Sequence, residues 1–313
     1  MNTSTNPSPN TTSASTRTST GTGTGTDARA SANASSIYKT EAGAREIQQR
    51  YREMLQAWPV PAEEIRIPTR EGETFVLVSG PKDAPPVLLL HGSGANTTMW
   101  QDDIASWSRH FRTYALDLIG EPGLSATSRP PLSSDAHALW LDEVLEHLGI
   151  TRTAIVAISL GGWVALDYAT RRPDRVTRLA LLCPGGLGKQ KTAWLFKAVL
   201  LRAFGRRGVR RSVATGTGLE APEVQHLLDH VMLTFTHFKP RTERLPLFPD
   251  SALRRLTMPM LVTVGSRDAF FDSEDTARRV RQCLPHATVK VLPEAGHALL
   301  NQTDSILTFL RAD

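Results

Sequence analysis

The stretch Ala154-Ile155-Val156-Ala157-Ile158-Ser159-Leu160-Gly161-Gly162-Trp163 decides the fold. Five apolar residues run without a break into a serine. A short continuous apolar run is what a strand covered on both faces needs. A helical segment follows the serine, and Pro173 stops it. A strand that turns at once into a helix leaves no room for bulky neighbours at the turn. Ala157 and Gly161, two positions either side of Ser159, are accordingly small. This is the strand–turn–helix setting of a nucleophile elbow, with Ala at the first small position where Gly is more usual. A five-residue pattern of this kind is common by chance, so its placement between strand and helix carries the argument.

A serine hydroxyl is a weak nucleophile at neutral pH and needs a base, which in turn needs an orienting acid. Downstream, Met260–Val264 reads as a strand and runs into Gly265-Ser266-Arg267-Asp268, which sets a carboxylate just past the strand's end. Asp272 is the rival acid. Then Lys290-Val291-Leu292-Pro293-Glu294-Ala295-Gly296-His297 puts a histidine in the loop after the last strand. The order Ser159, Asp268, His297 is one of the known triad orders. Upstream, Val87–Leu90 leads into His91-Gly92-Ser93-Gly94. A backbone loop there and the first turn of the helix after Ser159 are both suited to hold a developing oxyanion. The expected donors are Leu160 N–H and Ser93 N–H, with Gly94 N–H as the alternative. His91 is expected to brace its own loop. Gly94 and Trp100 are expected to line the substrate pocket.

Two competing readings of these motifs are weaker. Gly92-x-Gly94 with Asp117 23 residues beyond Gly94 has the outline of a dinucleotide fingerprint, but Thr97 stands where the third glycine belongs. His226 and His230 are spaced as zinc ligands can be, without a following Glu or an evident third ligand. No metal and no organic cofactor is expected.

Working outward, Phe75–Ser79, Thr113–Leu118, Arg178–Cys183 and Thr288–Leu292 read as further strands, with helical stretches between them such as the Trp140, Leu141, Val144, Leu145 and Leu148 stripe. Alternation of this kind argues for a mostly parallel sheet flanked by helices. Residues 63–184 and 251–313 form this expected core, and residues 37–62 an N-terminal helical extension whose helix, 37–57, ends before Pro59 and Pro61. Residues 1–36 hold 18 Ser/Thr and no large apolar residue besides Met1, so they are expected to be a disordered tail. They lack a signal peptide's apolar segment, which makes the cytoplasm the default location. Residues 185–250 break the strand–helix rhythm and carry 11 Lys+Arg against few acids. They are expected to be a helical lid inserted between two strands. Its stretch 192–204 is mostly apolar, and the run Arg206, Arg207, Arg210 and Arg211 follows. A helix covering the acyl pocket, with its arginines in solvent, is preferred there over membrane-surface contact or anion binding.

The 313-residue chain, with net charge +5 and 40% hydrophobic residues, has material for a sizeable core and is neither wholly disordered nor a polytopic membrane protein. Two cysteines, Cys183 and Cys283, read as reduced, buried thiols rather than a disulfide framework. No nucleic-acid partner is expected.

From about residue 65 onward the chain resembles the α/β-hydrolase superfamily, in LLLHGSG, DLIGEPGLS, AISLGGW, RRPDRVTRLALL, VGSRD and PEAGH. HGSGANTTMW and the segment before it are similar to a bacterial carboxylesterase-type branch. The resemblance implies Ser159 as nucleophile, Asp268 as acid and His297 as base, acting on a small-molecule acyl substrate. A serine at the elbow argues against dehalogenase and epoxide-hydrolase chemistry, which use aspartate there. The basic lid argues against an aminopeptidase. The expectation is a serine hydrolase cleaving a carboxylic ester through an acyl-enzyme. The alternatives are a carbon–carbon bond hydrolase of the meta-cleavage-product type, or a non-catalytic ligand-binding protein of the same fold.

Overall fold

An apolar strand buried along its whole length needs neighbours on both edges and layers on both faces. The computed structural model, which describes residues 37–192 and 204–312, supplies both. In chain order the elements are α1 (Glu41–Gln56), β1 (Ala62–Thr69), β2 (Gly72–Ser79), β3 (Pro86–Leu90), α2 (Gln101–Trp107), β4 (Arg112–Leu116), α3 (Ala136–His147), β5 (Thr153–Ile158), α4 (Ser159–Arg171) and β6 (Val176–Leu182). There follow α5 (Gly205–Thr217), α6 (Gln225–His237), α7 (Asp250–Leu253), β7 (Met260–Gly265), α8 (Ser273–Cys283), β8 (Thr288–Leu292) and α9 (Thr303–Arg311). The strands form one sheet in the order β1-β2-β4-β3-β5-β6-β7-β8. β1 and β2 pair antiparallel, as do β2 and β4, and the remaining neighbours pair parallel. This is the α/β-hydrolase fold, with the mostly parallel sheet and flanking helices expected.

The two-residue period of a strand sends alternate side chains to opposite faces. Leu88, Leu90, Ile155 and Ala157 join Trp140, Leu141, Val144 and Trp163 in one apolar layer. Leu89, Val156 and Ile158 join Trp107, Ile306 and Leu310 in the other. The parallel strands therefore all end at one edge of a rigid slab, and the loops leaving β3, β5, β6, β7 and β8 meet there.

The structure adds one strand to those read from the sequence: β1, which pairs with β2 over its full length. It also shortens the first helix. Thr40 caps α1 by accepting from Gly43 N at 3.0 Å. Ile37 and Tyr38 leave the helical stripe to pack on Phe238. Between β6 and β7 the chain passes through α5, α6 and α7. The arginine run expected beside a helix is itself the first half of α5. The tail 1–36 and most of the apolar stretch 192–204, including Trp194, Leu195 and Phe196, lie outside the described residues. Both cysteines are buried free thiols. Among the described residues no helix is long and apolar enough to cross a membrane.

Candidate active site

Ser159 is the first residue of α4 and has φ of +53°, a left-handed conformation that L-residues rarely adopt. The strain comes from the immediate change from β5 to α4, and it lifts the hydroxyl clear of both elements. The turn closes only because α4 passes directly over β3. A Cβ on Gly161 would collide with the carbonyl oxygen of Leu90. Leu160 N–H, in the first turn of α4, has no intrahelical acceptor and lies at the positive end of the helix dipole.

His297, in the loop after β8, spans the gap between the other two residues. Its Nε2 lies 3.0 Å from Ser159 Oγ and its Nδ1 2.8 Å from Asp268 Oδ2. Phe270 meets the imidazole edge-on at 4.8 Å between centroids, and Phe271 lies at 5.5 Å. Asp268 follows β7 and is 2% exposed. Its Oδ1 accepts from Phe270 N at 2.7 Å and Phe271 N at 3.1 Å. Burial alone would raise its pKa. The hydrogen bond and charge of His297, with the two backbone amides, outweigh burial and hold the carboxyl below the usual range. The rival Asp272 instead caps α8 by accepting from Asp275 N at 3.0 Å.

The loop after β3 is braced from below, as expected of His91. Nε2 of this buried histidine accepts from Leu118 N at 2.9 Å, which leaves Nδ1–H to donate to Gly92 O at 2.8 Å. Burial lowers its pKa, so the ring is neutral. Ser93 is exposed, and no acceptor among the described residues meets its N–H. Gly94 is not the alternative oxyanion donor. Its N–H is not open to a substrate but donates to Glu121 Oε2 at 2.6 Å. Trp100 differs from expectation. It is 2% exposed, packed against Trp107 at 5.8 Å in the layer beneath the sheet, so it belongs to the core and not to a pocket wall. Asp117, the residue of the dinucleotide outline, is consumed by structure. It accepts from Tyr51 Oη, Thr97 N and Leu124 N.

Two further groups at the site gave no signal in the sequence. One is Glu121. The other is Cys183, which follows β6 with φ of +41°. Its sulfur lies within 4.8 Å of ligand atoms of Asp268 and His297, and burial, then the Asp268 charge, push its pKa well up. Among the described residues this is the one trio of candidate metal-ligating side chains, and His226 and His230 belong to none.

The chain between β6 and β7 packs over this edge. Ala298 N donates to Thr217 O at 2.8 Å, so the end of α5 is bonded to the histidine loop. Gly218 and Gly296 touch backbone to backbone. Thr234 of α6 faces Gly94. Between α5, α6 and Phe270 opens a cleft of about 1030 Å³, walled in part by Val213, Met232 and Leu233, with Arg206, Arg207 and Lys39 on its lining.

Residues 87–306 match the family model described as the alpha/beta hydrolase family. The chain belongs to this family. Among curated relatives, the uncharacterized carboxylesterase nap of Bacillus subtilis is 31% identical over 281 residues, covering 85% of this chain and 91% of nap. Among solved structures, the carboxylesterase CesB (YbfK) of B. subtilis superposes with a TM-score of 0.73 at 29% identity, covering 86% of this chain and 99% of that one. The naproxen esterase (carboxylesterase NP) of B. subtilis gives 0.75 at 27% identity, covering 87% and 100%. This alpha/beta hydrolase is therefore similar over most of its length to solved esterases, and its serine, histidine and aspartate lie within hydrogen-bonding distance in series.

Proposed function

We infer that the protein is a carboxylesterase that works through an acyl-enzyme on Ser159. The observation that carries this reading is the position of His297, within 3.0 Å of the serine hydroxyl and 2.8 Å of a buried carboxylate. Its likeness over most of its length to bacterial carboxylesterases supports an ester as the substrate.

In the first half-reaction Ser159 Oγ attacks the ester carbonyl while its proton passes to His297 Nε2. Asp268 keeps the ring in the Nδ1–H tautomer and stabilises the imidazolium. The negative charge that forms on the carbonyl oxygen is met by Leu160 N–H and Ser93 N–H. Each such donor is worth about 3–4 kcal/mol to the transition state. His297 returns the proton to the departing alcohol. The same ring then activates a water that hydrolyses the acyl-enzyme. The cleft lies beyond Phe270, whose ring contacts His297, and is lined by none of the triad residues. Its apolar walls would supply an acyl or alcohol chain reaching past Phe270 with burial at about 25 cal/mol per Å² of apolar surface.

The test is a panel of p-nitrophenyl esters with a fluorophosphonate probe. The wild-type protein should turn over the esters and be labelled at Ser159, and Ser159→Ala should abolish both. Ester hydrolysis that survives in Ser159→Ala removes this reading. Turnover of a vinylogous diketone in preference to every ester would favour the carbon–carbon reading instead.

A further inference from the structure

Glu121 is a carboxylate at the edge of the catalytic loops that the reaction above does not use. It lies in the loop after β4, is 2% exposed and belongs to the DLIGEPGLS stretch. Its Oε2 accepts two hydrogen bonds from one turn of the loop after β3: Gly94 N at 2.6 Å and Ser93 Oγ at 3.2 Å. A buried carboxylate is costly unless its partners are good, so this arrangement needs a reason. The charged or titratable groups facing it are Arg129, Arg241 and Tyr38. Both arginines point their hydrogen bonds elsewhere. Arg129 donates to Gly120 O and Lys239 O, and Arg241 to Pro130 O and Glu243. Burial pushes the Glu121 carboxyl up to about 7.

The turn that Glu121 grips has three consecutive groups to orient. Gly92 O is fixed by the His91 ring. Gly94 is left-handed, with φ of +72°, a conformation glycine enters and leaves freely. Between them stands Ser93 N–H, which meets no acceptor among the described residues. Gly92 O and Ser93 N–H lie in one rigid peptide plane, pointing opposite ways, so the His91 bond orients that plane. The Glu121 bonds to the Ser93 hydroxyl and to Gly94 N, in the next plane, hold the residue that joins the two. We propose that Glu121 is the positioning residue of the oxyanion loop: by taking the Gly94 amide and the Ser93 hydroxyl, it aims Ser93 N–H at the oxygen of the reacting carbonyl. A neutral acceptor of the same shape serves this purpose as well as an anion does. An anion this close to a developing oxyanion would oppose it, so the bond and not the charge is what the loop uses.

The inference rests on the esterase reading, and the experiment separates the two. Steady-state kinetics on a p-nitrophenyl ester are measured for wild type, Glu121→Ala, Glu121→Gln and Glu121→Asp. Inhibition by a trifluoromethyl ketone, whose adduct carries an oxyanion, is measured for each. Glu121→Ala should lower kcat about 10–100-fold, below the full loss of a donor, with KM within about threefold of wild type. The ketone should weaken in proportion to kcat, which a general loss of packing would not produce. Glu121→Gln should recover kcat to within about threefold of wild type. If Glu121→Ala does not fold, Glu121→Asp carries the test, since its carboxylate falls about one bond length short of Gly94 and kcat should drop about 5–20-fold. An unchanged kcat in the Ala or Asp variant overturns the proposal. So does a Gln variant as impaired as the Ala variant, or a loss of kcat with the ketone affinity intact. A wild-type protein that neither hydrolyses esters nor reacts with a fluorophosphonate overturns the esterase reading, and this proposal with it.

Discussion

Replacing Asp268 by Asn tests the site at its most constrained point. The carboxylate satisfies three N–H groups: Phe270 N and Phe271 N on Oδ1, and His297 Nδ1–H on Oδ2. An asparagine has one acceptor oxygen, so it must choose a side. If the oxygen faces His297, the NH2 group opposes two backbone donors, and leaving each unsatisfied in a buried site costs about 1–3 kcal/mol. If the oxygen keeps the two backbone amides, only one bond must be rebuilt. The imidazole does this by moving its proton to Nε2 and accepting the asparagine N–H at Nδ1. The second arrangement wins by one unsatisfied donor or more. It presents Ser159 with an N–H where it needs a base. A triad held in the wrong tautomer loses about 10⁴ in kcat, or about 5.4 kcal/mol at 1.36 kcal/mol per tenfold. The assay is kcat and KM on a p-nitrophenyl ester, with a thermal melt to show that the fold persists. KM should change little. A variant that folds and keeps kcat within tenfold of wild type refutes the reasoning.

Gly161→Ala should destabilise the fold by about 1–3 kcal/mol and lower activity, because the new methyl meets backbone of β3 that cannot retreat. Chemical denaturation reads the first effect, and a wild-type midpoint would contradict the close approach of α4 and β3. Trp100→Phe should leave KM unchanged and cost about 1–2 kcal/mol of stability, since the ring packs in the core and its N–H meets no acceptor among the described residues. A raised KM with unaltered stability would return Trp100 to the pocket. For Glu121 the linkage has a definite sign. Folding raises its pKa from 4.5 to about 7, so the folded chain holds a proton that the unfolded chain has released. The associated stability is complete below about pH 4.5 and is lost as pH rises through about 7. Glu121→Gln cannot ionise, so its melting temperature should gain on wild type between pH 5 and pH 8, by up to about 3 kcal/mol in stability. A difference that does not change with pH would mean that Glu121 titrates normally.

Much of this architecture was legible because the signals were local. The apolar run into Ser159 and the small residues beside it follow from the geometry of one turn. The loop positions of Asp268 and His297 follow from the strands before them. What escaped the sequence depended on partners far along the chain. β1 has just one fully buried residue, Ile67, and its cohesion comes from pairing with β2, which no hydrophobic pattern announces. The apolar Ile37 and Tyr38 extend a helical period, yet Phe238, two hundred residues away, draws them out of α1. Trp100 looked like a pocket residue because it follows the loop after β3, but the one turn of 3₁₀ helix at Thr97–Trp100 rotates it inward beside Trp107. Glu121 is invisible as a ligand of the Gly94 amide because the two lie 27 positions apart, and only the adjacency of β3 and β4 brings them together.

The backbone seam between Gly218 and Gly296 bears on how new specificities can be built here. Residues between β6 and β7 form much of the cleft wall, so they are the obvious cassette to exchange among homologous hydrolases. Among the contacts such a graft must remake is a seam between two residues without side chains, and the Thr217 carbonyl beside them is bonded to the base's own loop. A donor cassette that brings any larger residue to that junction would push the imidazole out of line while leaving the rest of the scaffold intact. Successful chimeras should therefore be those that match the recipient at this joint, as well as where Phe238 packs on Ile37 and Tyr38 and where Trp163 donates to Pro246 O.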